Sequence, residues 1–267
     1  MAELSVSETT TYRWSFEQDA FAYAAAGIPA IGVWRQKLSD FGQTKAVELL
    51  ADRGLKASHL FWAGGFTGSD GRSFRESIDD AATALHTAAE LGAPCLIVCS
   101  GARAGHTYNH ARRLVKDGLI ELAPLATQLG VTLAVEPMHP ACAGQCTFIT
   151  SLDEVLPLLE AVNSPRVKMV FDTYHLGQDP QAVERLPQIA SQIALVQLGD
   201  ARCPPTGEQN RCRLGEGRIP LKQIVATLRA AGYDGYYDVE LLGEEIETFD
   251  YQSLLEHSKA AFAELMA

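Results

Sequence analysis

Short apolar, β-prone runs alternate along the chain with longer segments in which apolar residues recur at helical spacing. The runs fall near Tyr12–Phe16, Ala30–Trp34, Ala57–Trp62, Cys95–Ser100, Thr132–Glu136, Val167–Asp172, Ile193–Leu198 and Tyr236–Leu241. Each is short and carries few charges, as expected of parallel strands covered on both faces. Helix punctuation recurs between them. Ser39 and Asp40 precede a helix through Leu50 that Gly54 closes, Ser73 opens one closed by Gly92, and His110 to Leu129 ends at Gly130. Ser151 with Glu154 three residues on is a capping-box signal, Gly232 follows a helical stretch from Pro220 to Ala231, and further helices fit Pro180–Ala190 and Tyr251–Leu265. Eight strand-then-helix units without a linker or a break in composition predict a single α/β (β/α)8 TIM barrel over residues 1–267, with residues 1–10 flexible. A doubly wound open sheet is the rival. It lacks support, because no glycine-rich phosphate loop follows the first strand and the glycines of GGFTGSDG do not have the GxGxxG spacing.

Composition adds exclusions. Of 267 residues, 47% are apolar and 21% charged, enough for a substantial core. A net charge of −11 argues against nucleic acid as a partner. No apolar run approaches the roughly 20 residues of a membrane span, and the N-terminal stretch lacks the basic-then-apolar pattern of a secretory signal. A soluble, cytoplasmic protein with neither nucleic-acid nor membrane partner is expected. The six cysteines include no CxxC pair. Cys95 and Cys99 read as small hydrophobes, and Cys142 and Cys146 as structural or incidental.

Four of the runs end on a group able to hold a hard metal ion: LAVEP at Glu136, MVFDTYH at Asp172, ALVQLGD at Gln197 and YYDVELLG at Glu240. Singly, a strand-end glutamate is usually a capping or surface carboxylate, and a glutamine in an apolar run a satisfied polar group. One such group on each of strands five to eight is a different matter. Neighbouring strands of a barrel open side by side at the C-terminal mouth, where barrel active sites lie. Three carboxylates gathered there without a cation would be forced to take up protons, which a divalent ion prevents.

The stretches TLAVEP, VFDTYH, LVQLGDAR, LGEGRIP and GYDGYYDVEL resemble, in this order, the xylose isomerase-like TIM barrels, a superfamily of sugar-phosphate isomerases and epimerases that includes inosose and 3-dehydroshikimate dehydratases. The resemblance runs from about Trp14 to the last helix. It implies Glu136, Asp172, residue 197 and Glu240 as metal ligands, Glu136 and Glu240 as acid and base, and His175 as a contact to substrate or an aid to proton transfer. This chain departs from the epimerases at two positions: Gln197 replaces histidine on strand seven, and Cys142 stands where a second glutamate follows the strand-five ligand. Glutamine at 197 is a variation associated with the dehydratase branch. It also leaves an all-oxygen donor set, which favours Mn2+ or Mg2+ over Co2+ or Zn2+.

Other residues compete for roles. His139, in EPMHP, is either a general base at the mouth or a solvated loop histidine. Arg211 is a candidate to bind a substrate hydroxyl, carboxylate or phosphate, with Arg202 and Arg213 as rivals. His59, Trp62 and Trp34 form either a wall against which a sugar packs or ordinary barrel packing. His106 and His110 read as helix-start residues, and Glu244, Glu245 and Glu247 as a solvated acidic run. The expected function is a divalent-metal-dependent isomerase or epimerase of a sugar or keto-polyol, acting through an enediolate. The alternative is a metal-dependent dehydratase or eliminating lyase on a keto-polyol, keto-glycoside or 3-dehydroshikimate-like substrate, and a minor one is an inactive barrel serving as a binding protein. Barrels of this kind often pair through loops, so a homodimer or homotetramer is compatible with the chain.

Overall fold

In the computed structural model, which describes residues 3–144 and 146–267, eight parallel strands close on themselves in sequence order. They are β1 (Glu3–Ser7), β2 (Ala30–Trp34), β3 (Lys56–Gly64), β4 (Cys95–Cys99), β5 (Thr132–Val135), β6 (Val167–Asp172), β7 (Ile193–Leu198) and β8 (Tyr236–Val239). β1 pairs with both β2 and β8, which closes the barrel. Helices follow the strands and cover their outer faces, so the chain is a (β/α)8 barrel as the alternation predicts. No helix among the described residues is long and apolar enough to cross a membrane.

The core has two parts, as the period-two alternation of the strands requires. Outward residues such as Val6, Leu60, Leu133 and Tyr237 join helix residues such as Leu85, Leu119 and Leu254 in one large apolar layer. Inside the barrel a small cluster of Cys95, Ile97, Ala134, Val170 and Leu195 fills one side. The other side is polar: Ser5, Ser58, His59 and Asp238 are all fully buried, and the Ser5 and Ser58 hydroxyls lie 2.6 Å apart.

Three local expectations are corrected. The first strand is not Tyr12–Phe16: Glu3–Ser7 form β1 and residues 4–10 are buried. Its inward positions are serines, so its alternation reads as polar in sequence. Residues 1 and 2 lie outside the described residues. Ser39 and Asp40 sit inside a helix, Arg35–Phe41, and the break falls at Gly42, whose φ of 103° ends that helix before Gln43–Arg53 begins. Ser151 does stand at a helix start, but Glu154 reaches back to Thr150, accepting from its N–H (2.6 Å) and its hydroxyl (3.0 Å). Ser73 behaves as predicted and forms a full capping box with Glu76.

Candidate active site

Glu136, Asp172, Gln197 and Glu240 all lie at the C-terminal mouth and are buried. Asp172 and Gln197 are still in strand register, paired with each other across β6 and β7. Glu136 and Glu240 come one residue after their strands, yet their N–H groups continue the ladder, donating to Val98 O (3.1 Å) and Leu198 O (3.0 Å). The backbone therefore fixes all four positions, and the side chains turn into the mouth.

Asp172 divides its two oxygens between structure and site. Oδ1 caps the short helix Thr173–Leu176 by accepting from Tyr174 N–H at 2.6 Å, while Oδ2 meets Arg211 Nη2 at 3.2 Å and His175 Nε2 at 3.4 Å. That helix turn carries His175 back over Asp172, with Glu136 Oε1 4.0 Å from the same nitrogen. One ligand atom each from Glu136, Asp172 and His175 falls within a 4.8 Å group. Glu240 accepts from the Thr9 hydroxyl (3.1 Å), and its other oxygen faces Arg211 Nη2 at 3.7 Å. Thr10 pins this loop to β8, donating to Val239 O and accepting from Leu241 N–H.

Arg211 is the cation of the site and is almost wholly buried. Asp200 folds its loop by accepting from the N–H groups of Ala201, Gly215, Gly217 and Ile219. The guanidinium then lies over the Tyr174 ring at 4.0 Å and donates through Nη1 to the Glu208 carbonyl (2.9 Å) and carboxylate (2.7 Å). Burial works against its charge, but Asp172, Glu240 and Glu208 outweigh burial and raise its pKa above the ordinary value.

The carboxylates exceed what one arginine can neutralise. Burial, then Glu240 and Asp172, push Glu136 well above the usual carboxyl range. Burial opposed by Arg211 brings Glu240 to about 7, and burial raises Asp172 against the same arginine. His175 is pushed down to about 3, by burial and then by Arg211, so it is neutral. Both amide atoms of Gln197 are buried without a hydrogen-bond partner among the described residues. Surplus buried carboxylates beside an unpartnered amide oxygen fit a hard divalent cation.

The remaining candidates are sorted by position. Arg202 and Arg213 pair with surface glutamates and are not rivals to Arg211. Trp34 ends β2 at the rim, its ring 5.7 Å from Tyr12. Trp62 is partly exposed and packs against the small apolar cluster inside the barrel. His59 is not part of a rim wall: β3 is nine residues long, so His59 falls mid-strand, fully buried beside Asp238. His139 caps the short helix Pro140–Ala143, its Nδ1 accepting from Ala141 N–H at 3.2 Å, and stands close enough to His175 to lower its pKa. His110 follows the capping residue Thr107, and His106 faces Thr67 O.

Sequence reading missed Glu208 and Thr9. Glu208 fills the acidic vacancy expected at Cys142, standing beside that thiol and 3.6 Å from His175 Nε2. Its spacing of three residues before Arg211 is the one signal that pointed to it.

The xylose isomerase-like TIM barrel family model matches residues 21–263. Among curated proteins the chain is 25% identical to the inosose isomerase of Halalkalibacterium halodurans over 86% of this chain and 79% of that one. It is 28% identical to a putative hydroxypyruvate isomerase of Streptomyces coelicolor over 82% of each. Protein SMc04130 of Sinorhizobium meliloti superposes with a TM-score of 0.90 at 27% identity, over 98% of both chains.

Proposed function

The chain belongs to the xylose isomerase-like TIM barrel family, and from that premise we propose that it is a divalent-metal-dependent isomerase or epimerase of a keto-polyol or sugar. The observation that carries this reading is the surplus of buried carboxylate around the unpartnered Gln197 amide. Sugar-isomerase relatives support the substrate class.

Glu136, Asp172, Gln197 and Glu240 would hold a divalent ion, with Mn2+ or Mg2+ suited to the oxygen donors, and when bound it would supply Lewis acidity toward a substrate carbonyl. Glu240, with one oxygen 3.1 Å from the Thr9 hydroxyl, can take a proton from the carbon next to that carbonyl. Glu136, from a strand three removed, addresses the other side of a molecule lying over Asp172 and Gln197. Neutral His175, with no hydrogen-bond partner among the described residues, exchanges a hydrogen bond with a substrate hydroxyl. Arg211 steadies Asp172 and Glu240 and faces negative charge developing on the substrate oxygen. Trp34 and Trp62 give the rim apolar surface for a ring or carbon chain.

Incubation of the manganese-loaded protein with candidate ketoses in deuterated water tests the reading. Solvent deuterium in the recovered sugar and in its isomer or epimer is the expected result. An enone formed by loss of water assigns the chain to the eliminating lyases instead, and absence of exchange across the panel overturns the proposal.

A further inference from the structure

Beside the oxygen donors stands a second group of a different chemical kind. Cys142, on the short helix after β5, His175, on the helix turn after β6, and Glu208, in the loop after β7, bring a sulfur, a ring nitrogen and a carboxylate oxygen within 4.8 Å of one another. Cys142 and His175 are buried, and Glu208 is partly so. Neither ring nitrogen of His175 has a hydrogen-bond partner among the described residues, and neither does Glu208 Oε1. A buried imidazole is ordinarily held by a hydrogen bond at one nitrogen or the other. Here Nε2 of the imidazole and the free Glu208 oxygen face each other at 3.6 Å. Glu208 is oriented for this, because Arg211 Nη1 grips Oε2 at 2.7 Å and leaves Oε1 turned to His175 Nε2 at 3.6 Å.

We propose that Cys142, His175 and Glu208 form a binding site for a soft divalent ion of the zinc class, adjoining at His175 the oxygen set of Glu136, Asp172, Gln197 and Glu240, since the same Nε2 lies 3.4 Å from Asp172 Oδ2. Sulfur and imidazole select borderline-soft ions, whereas carboxylate and amide oxygens favour magnesium and manganese. Tetrahedral zinc with bonds of about 2.0–2.3 Å sets its ligand atoms about 3.5 Å apart, so three atoms already within 4.8 Å need to close by about 1 Å. Three protein ligands leave a fourth position open to water or another molecule. The thiol proton leaves to solvent as the sulfur–metal bond forms, and thiolate plus carboxylate then balance the two charges of the ion.

Cobalt(II) separates the two sites, because thiolate ligation alone gives a sulfur-to-cobalt charge-transfer band in the near ultraviolet. The full chain, stripped of metal and titrated with Co2+, is expected to develop this band. Cys142→Ser should abolish it, with retained circular dichroism showing that the variant folds, while Cys99→Ser and Cys146→Ser should keep it. Glu208→Gln leaves the sulfur in place and should raise the Co2+ concentration for half-maximal absorption about tenfold or more. Electron paramagnetic resonance of bound Mn2+ reads the oxygen set independently: Glu240→Gln should perturb that signal and spare the cobalt band. No band at saturating Co2+, a band that survives in Cys142→Ser, or one lost equally in Cys99→Ser overturns the site.

Discussion

Arg211 Nη2 lies 3.2 Å from Asp172 Oδ2, with both side chains about 1% exposed. A pair so placed gains Coulomb energy that largely offsets the desolvation of both ions, so its removal matters through what it leaves behind. Arg211→Met would strip the cation from Asp172, Glu208 and Glu240 together. In chelator, urea unfolding should show the variant destabilised by about 3–5 kcal/mol. Saturating Mn2+ should restore part of that loss if the ion occupies the carboxylates, and equal loss with and without Mn2+ would exclude this compensation.

His59 gives a pH dependence of known sign. It is fully buried, and burial holds its pKa at about 3 in the folded state against 6.5 for a free histidine. Between those values the unfolded chain binds a proton that the folded one refuses. Its contribution to stability is thus intact above pH 6.5 and is lost as the pH falls, by at most about 1.4 kcal/mol per pH unit. His59→Gln has no such proton to refuse. The gap in unfolding free energy between wild type and variant should therefore narrow as the pH drops from 7 to 4.5, and a constant gap would show that His59 is protonated in the fold.

Gly32 sits where the barrel interior is most crowded. A methyl group there would collide with Cε1 of His59 and come within 2.9 Å of Asp238 Oδ1. Both obstructing side chains are buried, His59 on the adjacent β3 and Asp238 on β8 just beyond β1, so neither can swing away cheaply. Gly32→Ala should cost about 1–3 kcal/mol in urea unfolding. Adding His59→Ala should return some of that cost; additive losses in the double variant would mean that the clash is relieved elsewhere.

The same interior explains what the sequence could and could not convey. The four strand-end groups at the mouth were legible because Glu136, Asp172, Gln197 and Glu240 each interrupt an apolar run at its C-terminal edge, a place that the barrel makes meaningful. β1 was not legible, because the positions that face inward are Ser5 and Ser7 and the run lost its apolar signature. His59 was misplaced because β3 runs on to Gly64, with register shifts against both neighbours, which sets His59 below the mouth. Glu208 depended on a loop folded around Asp200, a set of backbone-to-carboxylate contacts with no periodic trace in the sequence.

Gln197 sets two requirements against each other. Its amide is fully buried and neither polar atom has a partner among the described residues, an arrangement that costs roughly 1–3 kcal/mol when left unmet. If the amide oxygen serves a divalent ion, the penalty belongs to the metal-free protein alone. Gln197→Leu, of similar volume, should then be as stable as wild type or more so in chelator, while binding Mn2+ at least about tenfold more weakly. Isothermal titration with Mn2+ alongside urea unfolding in chelator measures both sides. A variant that is destabilised without metal yet binds it unchanged would show that Gln197 is a packing residue and that the ion, if held, rests on the three carboxylates.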